Sequence, residues 1–476
     1  MNDSSSRHIL AILLSGIGGL LLLSLVPWSR LTGNVIKDFN ILEDLFPTEV
    51  KIASASTQAI VDPELEALMN ASSGTDGNDT PAPDAGTATA DSLTVDSVLE
   101  ADIKEPASEA PIIDGIVAIE NYGSGPTLAK FKKALAQASS RTVRIAVIGD
   151  SFIEGDIFCQ DLRNILQTRY GGCGIGFSAL YSEFPGFRQS VRLSASGWTL
   201  KDIRNQGNSD TLRTLSGDYT VANAPVRSSY KASKTFDGTK GWERSSFVFI
   251  APDSGSVTLT LADGTSKTLP VTGSRTPKNI SVSGRTESLT VTSDVAGLIG
   301  LGVYLDGNTG VQVDCMSIRG NSGIGLRRLN RQLCREMTQT ADYSLIILEF
   351  GMNALSAEQT NYNAYGAAMA KSVERLKSLY PNADILVMGI GDRGIKNGSE
   401  IHSLHTASAM TKVQRKCATE TGVHFWDTRA AMGGDGTAAE WRKRQLINAD
   451  YIHLNHAGGR ELARLFDKAL NIAVNE

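Results

Sequence analysis

The chain has 476 residues, 41% of them hydrophobic and 20% charged, which is enough apolar material for a packed core and rules out wholesale disorder. A formal net charge of −5 excludes a dedicated nucleic-acid binder, so no nucleic-acid partner is expected. At roughly 100–200 residues per domain, two or three units are predicted.

The charge is unevenly spread. Residues 29–111 hold 4 Lys/Arg against 16 Asp/Glu, whereas residues 112–476 hold 41 against 34. An acidic tether therefore precedes a mildly basic body. Before the tether, residues 1–8 are polar, and Ile9–Trp28 reads ILAILLSGIGGLLLLSLVPW, 20 residues without a charge. That length spans a bilayer as a helix. The following SLVPWS is a poor cleavage site and no lipobox-like cysteine is present, so residues 9–28 are predicted to be an uncleaved signal anchor. Residues 1–8 would stay in the cytoplasm. The body would lie in the periplasm or an equivalent extracytoplasmic space, held to the inner membrane by a single pass. Residues 29–111, rich in Ala, Ser, Thr, Asp and Pro, are predicted to be a largely disordered linker.

The body begins near residue 112. RTVRIAVIGDSF (141–152) is a β-branched run ending in Gly-Asp-Ser, and DIFCQDLRNILQTRY follows with helical spacing. Ser151 thus sits where a buried strand turns into a helix, at the carboxyl edge of a predicted parallel sheet. Taken alone, an ordinary strand-to-helix turn capped by Ser or Asp explains the tripeptide equally well. Residues 177–310 have a different texture, with short β-branched runs such as SSFVFIAP, SVTLTLADG and ESLTVTS split by turn residues. They predict an inserted antiparallel β-sandwich. Within it, Trp198 and Trp242 are candidate sugar-binding residues, with burial in the sandwich core as the competing reading.

Alternating strands and helices then return: LIILEFGMNALS (345–356), a helix over 360–380, and strands at 383–392 and 423–428. IRGNSGIG (318–325) is a Gly-rich turn whose backbone N–H groups can approach a ligand. Asn353 stands at a strand end, where its amide can face a developing negative charge or cap a helix. Finally ADYIHLNHAGGRELARLF (449–466) places Asp450 three residues before His453. That spacing lets the carboxylate hold one ring nitrogen while the other faces a nucleophile. His402, His405, His424 and His456 have no Asp three residues upstream. Five cysteines show no C-x-x-C spacing, so no metal site is expected; one disulfide is open in an oxidising compartment, with its partners unreadable.

Together Ser151 in GDS, Gly323 in RGNSG, Asn353 in GMN and Asp450 with His453 in DYIH resemble the SGNH (GDSL-type) hydrolases, whose four blocks occur in this order. The chain departs from the family pattern at Ala354, where an acidic residue usually follows the asparagine. GDSFIEGDIF…LRNILQTRYGGCGIGF, FWDTRAAMGGDG and DYIHLNHAGG are more narrowly similar to the peptidoglycan O-acetylesterase branch, which carries a carbohydrate-binding-like β-domain between the first two blocks. The resemblance implies a flavodoxin-like α/β sheet sandwiched by helices, formed by residues 112–176 and 311–476. It implies catalysis by Ser151, His453 and Asp450. The backbone N–H groups of Ser151 and Gly323 and the Asn353 amide would serve the oxyanion. No cofactor is required, and the partner is an acetylated envelope glycan. A glycan O-acetyltransferase, a lipase or thioesterase of the same family, and an inactive glycan-binding protein are the alternatives.

Overall fold

Continuous runs of Val, Ile and Leu form strands buried on both faces, which only a helix-covered parallel sheet accommodates. A computed structural model describes residues 109–476 except 203–210 and 399, together with residues 65, 66, 68 and 69. Six strands make the first sheet: β1 (Glu120–Asn121), β2 (Thr142–Gly149), β3 (Gly310–Ser317), β4 (Leu345–Glu349), β5 (Asp384–Met388) and β6 (His424–Trp426). Their order is β3-β2-β4-β5-β6-β1, parallel throughout except for β1 at the edge. Leaving β1 aside, this is the flavodoxin-like order. Every residue of β4 and β5 is buried, and β2 is buried from Val143 to Gly149. Four main helices cover the sheet, α1 (Cys159–Tyr170), α2 (Asn363–Leu379), α3 (Ala407–Thr421) and α4 (His456–Asn475), with α1 packed on α4 and α2 on α3. The order reverses around β2, so the carboxyl ends of β2 and β4 flank the crevice where such sheets bind ligands.

Between β2 and β3 in the sequence lies a nine-stranded antiparallel sheet with its own hydrophobic core. Hydrogen bonding places its first strand at Gly174–Ser178, paired to Ile299–Asp306. Sequence texture drew the insert from 177, yet the register extends it to Gly174. All nine strands join one sheet, and the strands at its two ends, Ser266–Val271 and Lys278–Thr286, approach each other, so the sheet curls around its core.

A buried ion cluster fastens the two parts. Arg144 on β2 donates to Asp314 on β3 at 2.8 Å and to Asp306, the last residue of the insert sheet, at 2.6 Å. Asp314 also accepts from the Phe177 N–H at 2.9 Å and from the Tyr343 hydroxyl at 2.9 Å. The linker expectation needs correction at one place. Residues 65, 66, 68 and 69 are helical, and Leu65 is 1% exposed in the core around the six-stranded sheet. VDPELEALM is an apolar island in an otherwise polar stretch, and burying one leucine stabilises by about 1.5–3 kcal/mol. Residues 9–28 lie outside the described residues. No described helix is long and apolar enough to cross a membrane.

Removing Arg144 strands two buried carboxylates. Arg144→Ala is expected to lower stability by about 3–5 kcal/mol in chemical denaturation. Arg169→Ala, which breaks the exposed pair with Asp467, is expected to cost no more than about 1 kcal/mol.

Candidate active site

β2 ends at Gly149, and Asp150 and Ser151 form the turn that follows. Ser151 Oγ lies 2.8 Å from His453 Nε2, and His453 Nδ1 lies 2.7 Å from Asp450 Oδ2. Asp450 Oδ1 accepts from the backbone N–H groups of Ile452 at 2.9 Å and His453 at 3.0 Å, with Tyr451 between them held at φ 60°. Burial pushes the Asp450 carboxyl upward, but the His453 bond and charge and these two N–H groups outweigh it, leaving it below its ordinary value. Asn455 then caps α4 by accepting from Ala457 and Gly458, which fixes the loop's exit. The structure thus joins the three residues that the sequence pattern selected. His456 points elsewhere, bonding Gln160 Nε2 through Nδ1 at 3.0 Å.

Gly323 and Asn353 belong to the turns that follow β3 and β4. Gly323 has φ 78°, and a Cβ there would lie 2.6 Å from Phe350, so a side chain is excluded on both counts. Its N–H donates to Asn321 Oδ1 at 3.0 Å. Asn353 Nδ2 donates to Asp150 Oδ2 at 2.8 Å and to Asn321 O at 3.1 Å. Both groups are therefore engaged within the protein. Asp150, the middle residue of the Gly-Asp-Ser tripeptide, ties the nucleophile turn to Asn353. It is fully buried, and burial raises its pKa to about 7 against the pull of Phe152 N–H, His453 and Asn353. Burial, and then the neighbouring Asp150 carboxyl, push the Glu349 carboxyl at the end of β4 well above its ordinary value.

The turn after Ser151 is anchored by Asp156, at φ 69° and 1% exposed. Arg163 on α1 grips it with two bonds of 2.8 Å. Two residues of the insert join them: Ser190 donates to Asp156 Oδ2 at 2.6 Å, and Arg188 pairs with it at 3.3 Å. Gly155, at φ 68°, carries the ring of Phe187 where a Cβ would sit, 2.3 Å away. These links cross long sequence separations and left no local signature.

Trp198 and Trp242 do not fit the sugar-binding expectation. They are 7% and 1% exposed in the insert core, where their ring N–H groups donate to Ser228 Oγ and Ser245 Oγ. Among the described residues, one acid–thiol cluster has metal-like spacing: Asp156, Cys159 and Cys315, with ligand atoms within 4.8 Å. Arg163 already neutralises Asp156, and burial raises the Cys159 thiol well above its ordinary value, so the donor set does not suit a cation.

Residues 288–460 match the GDSL-like lipase/acylhydrolase family profile, a span that includes Gly323, Asn353, Asp450 and His453 and leaves out Ser151. Over that span the chain is similar to the SGNH (GDSL-like) hydrolases. Its catalytic class is serine esterase. The fold matches that of a peptidoglycan O-acetylesterase with a TM-score of 0.63 and 22% identity, over 75% of this chain and 99% of that one. A family two carbohydrate esterase from Cellvibrio japonicus aligns with 11% identity over 60% of this chain and 98% of that one, at a TM-score of 0.26, too low to add to the fold assignment. No curated protein matches the sequence.

The Asp150 contacts make a pH prediction. Its folded pKa of about 7 lies above the unfolded value near 3.8, so its contribution to stability is fully present below about pH 4 and lost as pH rises through 7. Asp150→Asn is expected to flatten the dependence of Tm on pH across this window. It should also place an amide donor against Asn353 Nδ2 and lower turnover of 4-nitrophenyl acetate by about 10²-fold.

Proposed function

We propose that the chain is a membrane-anchored, extracytoplasmic esterase that removes O-acetyl groups from a cell-envelope glycan, with peptidoglycan the foremost candidate. The hydrogen-bond chain Ser151–His453–Asp450 carries the chemical part of this reading. The fold shared with a peptidoglycan O-acetylesterase supports the glycan part. The uncharged run at 9–28 supports the anchor and the location.

His453 Nε2 would take the Ser151 proton as Oγ attacks the acetyl carbonyl, while Asp450 holds the proton on Nδ1. The oxyanion would draw the N–H groups of Ser151 and Gly323 and the Asn353 amide. For Gly323 and Asn353 this means exchanging Asn321 for a charged acceptor, which gives the stronger bond. Collapse breaks the bond to the sugar oxygen, and His453 returns the proton to that oxygen. Water, deprotonated by His453, then attacks acetyl-Ser151, and His453 gives that proton to Oγ as the acyl bond breaks and acetate leaves.

In the full-length chain acting on O-acetylated peptidoglycan, Ser151→Ala and His453→Ala are each expected to remove nearly all acetate release, leaving similar measurable residual rates, and the double variant should be no slower than either. Asp450→Asn should lower kcat by up to about 10⁴-fold through the wrong histidine tautomer. Independent, multiplying effects of the Ser151 and His453 changes would contradict a shared relay. Full-length chain should sediment with membranes, and deletion of residues 1–28 should release it.

A further inference from the structure

With Trp198 and Trp242 in the core, a glycan needs another platform. Among the described residues, the large hydrophobic side chains that face solvent are Ile112, Ile113, Phe184 and Ile395, of which only Phe184 is aromatic, at 49% exposed. It lies at the rim of a cavity of about 150 Å³ formed where the insert meets the hydrolase sheet. The cavity is lined from the hydrolase side by Glu154, Gly155 and the end of β3, and from the insert side by residues 177–193 and 216–218. Its floor starts three residues past Ser151. Phe187 on its wall is in ring contact with His456, 6.2 Å between centroids and three residues past His453.

This rim is built rather than loose. Glu154 holds Arg319 at 2.6 Å, and the Arg319 guanidinium lies over the Phe184 ring at 4.9 Å. Ser182 Oγ accepts from the Phe184 N–H at 3.1 Å, and Phe184 O accepts from Phe187 N–H at 3.1 Å. One face of an aromatic ring is thus covered by a cation that a carboxylate fixes, while much of the ring stays open. Glu154, Asp218, Ser182 and Ser216 also line the cavity. A π face beside convergent hydrogen-bonding groups suits the C–H face and hydroxyls of a pyranose. The volume falls well short of the roughly 300–1,000 Å³ of a drug-sized ligand site, which fits one sugar ring or its acetamido group better than a long acyl chain.

We propose that this cavity is a saccharide subsite, with Phe184 as its stacking platform and Glu154, Asp218, Ser182 and Ser216 as its hydrogen-bonding partners. The inference rests on the glycan-esterase reading and adds a place for a sugar of the polymer outside the relay itself, since none of Ser151, His453 and Asp450 lines the cavity.

The test compares full-length wild type, Phe184→Ala, Phe184→Tyr and Ile113→Ala on O-acetylated peptidoglycan, 4-nitrophenyl acetate and 4-nitrophenyl butyrate. Phe184→Ala is expected to lower the ratio of kcat/KM on peptidoglycan to that on 4-nitrophenyl acetate by about tenfold. Phe184→Tyr should restore most of that ratio, and Ile113→Ala, an equally apolar exposed change outside the cavity, should leave it as in wild type. An unchanged ratio in Phe184→Ala, or equal losses on both substrates, overturns the subsite. A shifted preference between acetate and butyrate assigns the cavity to the acyl group and overturns it too. A wild type that hydrolyses 4-nitrophenyl acetate but releases no acetate from peptidoglycan or acetylated xylan overturns the glycan reading, and the subsite with it.

Discussion

One hydrogen bond, from Ser151 to His453, joins residues 302 positions apart, and the rest of the structure is arranged around making it. Neither residue can be placed by local sequence alone. Ser151 is set by β2, at the point where the strand order reverses. His453 is set by a loop entering α4, whose start is fixed by Asn455 and whose turn is tied by Asp450 to two backbone N–H groups. The same Asp450 carboxylate holds the imidazole at its far nitrogen. One residue therefore shapes the loop and fixes the tautomer, which explains the short Asp-to-His spacing.

Buried charge does the corresponding work beneath the nucleophile. Asp156 keeps a positive-φ conformation in a fully buried site where Arg163 neutralises it and Ser190 and Arg188 add further contacts to Oδ2. A buried ion pair of this kind adds little net stability but fixes geometry, because a misplaced partner leaves a bare charge. Since Ser190 and Arg188 come from the insert, the β-domain is physically part of the catalytic turn. The acyl-transfer groups all lie in turns and loops of the part built on the six-stranded sheet, yet the turn that carries Ser151 leans on the neighbouring domain.

Much of this was legible in the sequence. Apolar runs at 142–149, 345–349 and 384–388 announce buried parallel strands, and the GDS and DYIH segments announce the relay because their chemistry depends on local spacing. What stayed hidden depends on partners distant in the chain. Whether Trp198 and Trp242 face core or solvent follows from the face each strand turns inward, which isolated tryptophans do not declare. Gly174 belongs to the insert sheet only because Asp306 pairs with it. Leu65 is buried only because the hydrolase core receives it. Asp156 and Phe184 acquire meaning only once the insert is folded against the nucleophile turn.

The central claim is that acetyl passes through Ser151. The direct measurement is acid-quenched mass spectrometry of the full-length protein turning over O-acetylated peptidoglycan, with the adduct mapped by proteolysis. The account predicts an acetyl group on the peptide carrying Ser151, on that side chain. Steady release of acetate with the adduct on another residue, or with no adduct while water attack is demonstrably rate-limiting, would contradict it.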